Sequence, residues 1–338
     1  MRKLLYLAYH IKELDWKKIR RFAKVASKEC GAPAGLLLWR SFFASYRCLI
    51  SPIEFFLFRF YQLPKAEWSK WAGTSYMYEY QLEMNPRSSR GVLADKTTFL
   101  SVYAPFVKHL FLSLEELKAQ PEKANRLLEA SDKIVFKASD GQCGRGIEIL
   151  ATQNLTSDLV LSTLEMGGND LVEQFVEQHP DLQSLSPSGL NTLRVITQIR
   201  KDGGVDLLAA RLRITIDSPV DNMAAGNAAA SVNLNDGRVD RPAVFSDLEK
   251  DPVAVHPITS TPIVGFQVPY FKESLALATA AAKHRPENKS VGWDIAITKD
   301  GPELIEGNHD WCKLLWQLPV NEGLKGDLEK YKQTEQEE

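Results

Sequence analysis

The chain has 338 residues, with 41 Lys and Arg against 43 Asp and Glu and 44% hydrophobic residues. That length allows two or three domains and a sizeable core, while a net charge of −2 excludes a uniformly basic nucleic-acid binder. The balance is uneven: residues 1–60 hold twelve Lys and Arg against four Asp and Glu, so an anionic partner is expected at that end.

The first sixty residues read as helices. Leu4, Leu7, Ile11 and Leu14, then Ile19, Phe22, Ala23 and Ala26, recur at helical spacing, and "SKECGAPAG" interrupts them as a turn. A third apolar helix is expected from Leu36 to Tyr61 with a break near Pro52. His10, Lys12, Glu13 and Asp15 break the opening apolar run, which makes it a poor signal peptide. Pro52, Glu54 and Arg59 interrupt "CLISPIEFFLFRFYQL", which falls short of the roughly 20 apolar residues of a membrane span. Four scattered cysteines (Cys30, Cys48, Cys143, Cys312) with no CxxC pair fit a reducing cytoplasm and no structural metal. Basic helices with aromatic faces could rest on the inner face of an anionic membrane, meet a phosphorylated carrier, or simply cap the domain that follows, the plainest of the three. Residues 62–92 are mixed, with "NPRSSRG" as a loop.

From about residue 91 short β-branched runs alternate with turn signals. "KIVFKA" (133–138) and "IEIL" (147–150) read as strands around a glycine-rich loop, "LTSDLVLSTLEM" as a helix and "DLVEQFV" as extended. "NTLRVITQIR" and "VDLLAARLRI" form a hairpin around "KDGG"; "ASVNL" and "RVDRP" flank "NDG"; "KESLALATAAAKH" is helical. Then "GWDIAITKDGPELIEGNHD" reads as a second hairpin, its turn signalled by Asp300-Gly301. The C-terminal segment from 326 is polar.

Pairing across that second turn sets Asp294 nearly opposite Glu306, and Glu306 shares a strand face with Asn308. Three oxygen donors on one sheet face suit Mg²⁺. The alternative is a solvated hairpin with surface acids, although Ile295, Ile297, Leu304 and Ile305 mark it as packed inside a domain. In "VFKASDGQCGRGIEI" a glycine loop follows Lys137, and such a loop can offer N–H groups to phosphate. It lacks GxxxxGK[ST], does not run G-x-G-x-x-G into a helix, and has no kinase H-R-D or D-F-G after it. Taken alone, Lys96 at a helix start, Glu173 in "EQFV" and Arg194 on an apolar strand each suit a structural role better: a helix-start lysine, a surface acid, a salt-bridged arginine.

Taken in order, Lys96, Lys137, the glycine loop, "EQFV", Arg194, Asp294 and Glu306-x-Asn308 resemble the ATP-grasp superfamily. "NTLRV", "DNMAAGNAAASVNLNDG", "VGFQVPY", "VGWDIAIT" and "GPELIEGN" resemble its sugar-transfer-associated family over roughly residues 90–320. The resemblance implies an α+β fold in which two α+β subdomains clasp ATP, behind a mainly helical region. Its divisions would be residues 1–90 helical and basic, 91–178 the lid with the glycine loop, 179–325 the subdomain with the metal site, and 326–338 a polar tail. It implies that Lys96 and Lys137 contact phosphates and that Ser139, Gly141, Gly144, Arg145 and Gly146 close over them. Glu173 with the Gln174, Phe175 and Val176 backbone would take adenine, and Glu173 or a neighbour the ribose. Arg194 would hold the γ-phosphate, with Arg194 and Lys137 as the catalytic cations, and Asp294, Glu306 and Asn308 would bind Mg²⁺.

The reaction implied is carboxylate–amine ligation. The carboxylate takes the γ-phosphoryl group of ATP, and an amine displaces phosphate to form an amide. Its setting would be cell-surface polysaccharide or related biosynthesis, on small-molecule or sugar-linked substrates. Arg211, Asp221 and Asn222 are candidates for substrate contact, Arg211 because a guanidinium fork suits a carboxylate. Phosphoryl transfer depends on positioning and charge, which agrees with the lack of a Ser-His-Asp or Cys-His arrangement. A phosphotransferase acting on a sugar or alcohol, and a non-catalytic nucleotide-binding partner, are the rival readings. Unlike many ATP-grasp enzymes, which carry a Rossmann-like domain first, this chain begins with basic helices, and that leaves the acceptor pocket undefined.

Overall fold

The computed structural model describes residues 2–139 and 147–332. It opens with three helices, α1 (Arg2–Lys12), α2 (Trp16–Cys30) and α3 (Ala34–Cys48). Their limits follow from local chemistry. Asp15 accepts the Lys17 and Lys18 N–H groups to start α2, and Gly31, at φ 73°, ends it in the left-handed region. The break expected near Pro52 is there: α3 stops at Cys48, and α4 (Pro52–Leu57) starts afresh. Ser51 and Glu54 form a capping box there and Pro52 fills the first helical position, so the chain restarts a helix instead of continuing one. In the mixed stretch 62–92 a further helix, α5 (Thr74–Met84), precedes the "NPRSSRG" loop.

Among the described residues nine strands follow, in two antiparallel sheets. The smaller sheet contains β1 (Phe111–Ser113), β2 (Lys133–Lys137), β3 (Glu148–Ala151) and β4 (Leu171–Gln174) in the order β1-β4-β2-β3. Leu117, Leu127, Val160 and Leu164 from three helices pack with Ile134, Phe136 and Val172 behind it. The larger sheet contains β5 (Thr192–Ile199), β6 (Val205–Ile214), β7 (Ala228–Val232), β8 (Ser290–Thr298) and β9 (Gly301–Asn308) in the order β7-β6-β5-β8-β9. β5–β6 and β8–β9 are the two expected hairpins. The tight turn of the second occupies Lys299 and Asp300, with Gly301 (φ 101°) starting the return strand. Around "NDG" only a Val232–Val239 bridge forms, since Arg238 pairs onward with Gln267.

One face of the larger sheet, with Leu193, Val195, Leu212, Trp293, Ile295 and Leu304, packs on the helix Phe271–His284. Leu93, Phe99 and Tyr103 join the same core. α2 to α4 build an aromatic core of their own that reaches Met223, Leu248, Leu315 and Leu318. α5 covers part of the other face, where Tyr76, Tyr80 and Met84 share a cluster with Ile196, Ala209, Trp311 and Trp316. The tail includes a short helix, Lys325–Glu329, seated by buried Leu328.

Candidate functional site

The remainder of that second face is polar. Cross-strand pairing sets Arg194, Asp294 and Glu306 in one row over β5, β8 and β9, with Ile196, Gly292 and Asn308 in the next. Alternate residues of a strand share a face, so Glu306 and Asn308 are neighbours; Asn308 Nδ2 donates to Glu306 Oε1 at 3.2 Å. A register shift beside Asp294 makes Glu306 oppose Asp294 while Leu304 opposes Ile295. This bulge also changes the place of Glu303. Strict alternation would set it opposite in facing to Glu306, yet it pairs with Ala296, two residues from Asp294, on the same side.

Four buried charges lock the centre of the row. Arg194 grips Asp294 through Nε to Oδ1 and through Nη2 to Oδ2, the latter at 2.7 Å. Arg213 reaches Asp294 Oδ2 at 2.6 Å and Asp221 Oδ1 at 2.6 Å. Asp221 also accepts the Thr192 hydroxyl and, at 3.0 Å, its N–H. Burial alone would push the Asp294 carboxyl up, but the two guanidinium groups hold it well below the usual carboxylate range. Glu306 lacks such a grip: burial first, then the Asp294 carboxylate beside it, push it up to about 7. Gly292 lets the arginine pass, because a Cβ there would lie 2.7 Å from Trp311 Cβ and 3.2 Å from Arg194 Cδ.

Among the described residues no group of three or more His, Cys, Asp or Glu side chains could hold a metal. The donors at this row are two carboxylates and one amide. That set fits Mg²⁺, which takes one or two carboxylates and completes its octahedron with water and phosphate oxygens, better than a metal needing an all-protein cage.

The second cluster joins the sheets. Lys137 on β2 pairs with buried Glu173 on β4 at 2.5 Å. His109 Nε2 lies 3.6 Å from the same Glu173 oxygen, and its Nδ1 is 2.7 Å from Glu303 on β9. The Lys108 and His109 N–H groups also donate to Glu303, both at 2.9 Å. Lys96 heads a helix, Lys96–Val102, packed on the larger sheet, and its Nζ donates to the Ala138 and Ser139 carbonyls at 3.2 Å each. Asp170 holds Ser139 through both its N–H and its hydroxyl, at 2.5 Å. Gly141, Gly144, Arg145 and Gly146 lie outside the described residues, as does Cys143.

At the crossover between sheets, the Gln174 and Phe175 N–H groups donate to the Leu110 and Lys133 carbonyls. The Gln174 side chain is occupied by Leu110 N–H and the Ala130 carbonyl. Val176 N–H has no partner among the described residues. A cleft of about 450 Å³ opens there, lined by Phe175, Val176, Glu177, Thr298 and Glu303. It lies toward the hairpin tip rather than at Glu306.

The three substrate candidates have scaffold contacts. Arg211 shares the face of Arg194, but its Nε and Nη2 donate to the Trp316 carbonyl at 3.2 and 2.7 Å and its Nη1 to the Ala210 carbonyl. Burial pulls that guanidinium down to about 10, which Asp240 and Glu322 only partly offset. Asp221 belongs to the Arg213 pair, and Asn222 Oδ1 accepts Ala224 N–H to cap a turn. Sequence reasoning passed over Arg213, His109 and Glu303. Arg213 had a signal, since it lies two residues after Arg211 and therefore on its face; the other two depend on contacts distant in the chain.

The model of the sugar-transfer associated ATP-grasp family matches residues 75–333. No curated relative matches the chain. A biotin carboxylase from Campylobacter jejuni, solved as a βγ-ATP complex, is similar at 13% identity over 73% of this chain and 48% of its own, with a TM-score of 0.45. D-alanine–D-alanine ligase from Helicobacter pylori is similar at 10% identity over 73% of this chain and 63% of its own, with a TM-score of 0.44. The biotin carboxylase domain of a Hydrogenobacter thermophilus 2-oxoglutarate carboxylase, solved with MgADP and bicarbonate, shows 14% identity over 68% of this chain and 46% of its own, with a TM-score of 0.40. The chain thus spans less than two thirds of the length of each of these three.

Proposed function

The chain belongs to the sugar-transfer associated ATP-grasp family, an ATP-grasp fold behind a helical N-terminal region, and from that premise we propose that it is an ATP-dependent ligase. In this reading a carboxylate oxygen attacks the γ-phosphorus of ATP and ADP leaves, giving an acylphosphate. An amine then attacks the acyl carbon, phosphate leaves, and an amide results. The family's description supports a setting in cell-surface polysaccharide or related biosynthesis, with small-molecule or sugar-linked substrates. One observation carries the reading: the row Arg194–Asp294–Glu306, with Arg194 and Asp294 buried, on a sheet tied through Glu303 and His109 to the sheet of Lys137 and Glu173.

Each residue then has a physical task. Val176 N–H is the backbone donor left for a purine edge. Lys137, aligned by Glu173, and Lys96, at the root of the glycine loop, bring positive charge to the phosphates. Arg194 keeps Nη1 beside Gly292, with no partner among the described residues, for a phosphoryl oxygen. Asp294, Glu306 and Asn308 would hold Mg²⁺, which when bound supplies charge neutralisation along the phosphates.

The test is ADP and phosphate release from MgATP across panels of carboxylates and amines, with products identified by mass spectrometry. Release that needs both partners is expected, and Glu306→Ala should abolish it while thermal unfolding stays cooperative. Failure to release ADP with any pair would sink the proposal. A stable phosphorylated product formed without amine would assign a phosphotransferase instead.

A further inference from the structure

We propose that α1 and α3 form a docking face for an anionic lipid bilayer, on which the protein rests without crossing it. α3 is apolar on two sides. Leu37 and Ala44 are fully buried, whereas Leu36, Trp39, Phe43 and Tyr46 are 37–64% exposed. Their spacing of three, four and three residues makes one stripe along the helix. Trp39 and Phe43 stack with ring centroids 5.8 Å apart, nearly parallel. α1 packs against α3 and exposes Leu4, Leu5 and Tyr9 by 58–68%. Single exposed apolar residues are ordinary, but two adjacent helices that both carry them mark an interaction surface.

Charge selects the occupant. Lys3, Lys12, Lys17, Arg20, Lys24 and Arg47 have no carboxylate partner among the described residues. Arg47 is exposed and follows Tyr46, Lys65 Nζ lies 5.9 Å from the Phe43 ring centroid, and the Arg20 guanidinium carbon is 5.9 Å from that of Trp16. A second copy of this chain would bring the same cations to the face and repel. Acidic headgroups satisfy the lysines and arginines while Trp and Tyr rings settle at headgroup depth, the pattern of an interfacial helix. Among the described residues no helix is long and apolar enough to cross a membrane, so the contact lies in the plane of the surface.

The test is co-sedimentation of the full chain with phosphatidylcholine vesicles, with and without phosphatidylglycerol. Binding only to the anionic vesicles, falling as salt rises, is expected, with a blue shift of tryptophan emission. Trp39→Ser with Phe43→Ser should weaken binding about tenfold or more, since two interfacial rings are lost. Lys12→Glu with Arg47→Glu should do so without removing an aromatic, and ATP-analogue binding reports that both double variants are folded. No binding to anionic vesicles, or equal binding by both variants, overturns the proposal. So does a dimer in sedimentation velocity that Trp39→Ser with Phe43→Ser dissolves, since a second copy would then own the face.

Discussion

Replacing Arg213 by methionine tests the charge lattice at the heart of the site. The guanidinium is 9% exposed and holds Asp294 and Asp221 at 2.6 Å each. Burial alone would lower its pKa, yet the two carboxylates outweigh burial and raise it. Removing one partner of a buried ion pair costs about 3–5 kcal/mol, because the charge left behind is uncompensated. Here Asp294 retains Arg194, while Asp221 keeps only the Thr192 N–H and hydroxyl. The loss therefore falls mainly on Asp221 and should be close to the lower limit, about 3 kcal/mol. Asp221→Asn in the same background removes the orphaned charge, so a double-mutant cycle should return a coupling of about 2 kcal/mol. The pH dependence has a definite sign. Burial already pushes the Asp221 carboxyl above its unfolded value of 3.8 against the pull of Arg213, and losing Arg213 pushes it further, so the variant's folded state holds that proton more tightly. The variant's deficit should be larger at pH 8 than at pH 5. Urea denaturation of the four proteins at both pH values measures all three quantities. A methionine variant within about 1 kcal/mol of the parent, or a coupling below about 0.5 kcal/mol, would refute the reasoning.

Other substitutions examine other links. Gly292→Ala, whose Cβ would meet Trp311 and Arg194, should cost about 1–3 kcal/mol and reduce ADP release by displacing the arginine; unchanged kinetics would show that Arg194 tolerates the shift. Glu54 is 1% exposed, caps Ser51 and Thr74 and pairs with Lys313 at 3.1 Å, so Glu54→Gln should cost about 3 kcal/mol at pH 7. Although burial opposes it, Lys313 and the Thr74 and Ser51 hydrogen bonds lower the Glu54 pKa, so its contribution is lost as pH falls below the unfolded 4.5. A denaturation difference that stays constant down to pH 3 would argue against this. Glu303→Gln removes the charge that receives Lys108 and His109 and should raise hydrogen exchange at residues 108–111; exchange equal to the parent would mean that the two sheets are joined elsewhere.

The hairpins β5–β6 and β8–β9 were legible because strand alternation and turn chemistry are local, and with them came the Asp294–Glu306 opposition. The split of α3 from α4 was legible at Pro52, and the Ser51–Glu54 capping box is the local chemistry that restarts the helix there. α5 was not legible. Its Tyr, Met and Leu residues circle the helix, and what buries them are Trp311 and Trp316, more than two hundred residues away. Alternation places Arg211 and Arg213 on one face but cannot say which meets Asp294. The Trp316 carbonyl takes Arg211, and Arg213 is left to Asp294. Glu303 was hidden for another reason, since only the bulge brings it to the facing of Glu306.

These partners change how the site's charge should be counted. The sequence offers a row of cations for a triphosphate, but in the fold Arg194 and Arg213 are matched by Asp294 and Asp221, and Lys137 by Glu173. A cluster so balanced has little spare positive charge for an incoming polyanion. It does have neighbouring carboxylates in Asp294 and Glu306, and burial together with the Asp294 charge pushes Glu306 up. A nucleotide that arrives with its own magnesium satisfies both sides at once, whereas one without it meets a wall of acids. That is the physical reason to expect metal and triphosphate to bind here as a unit.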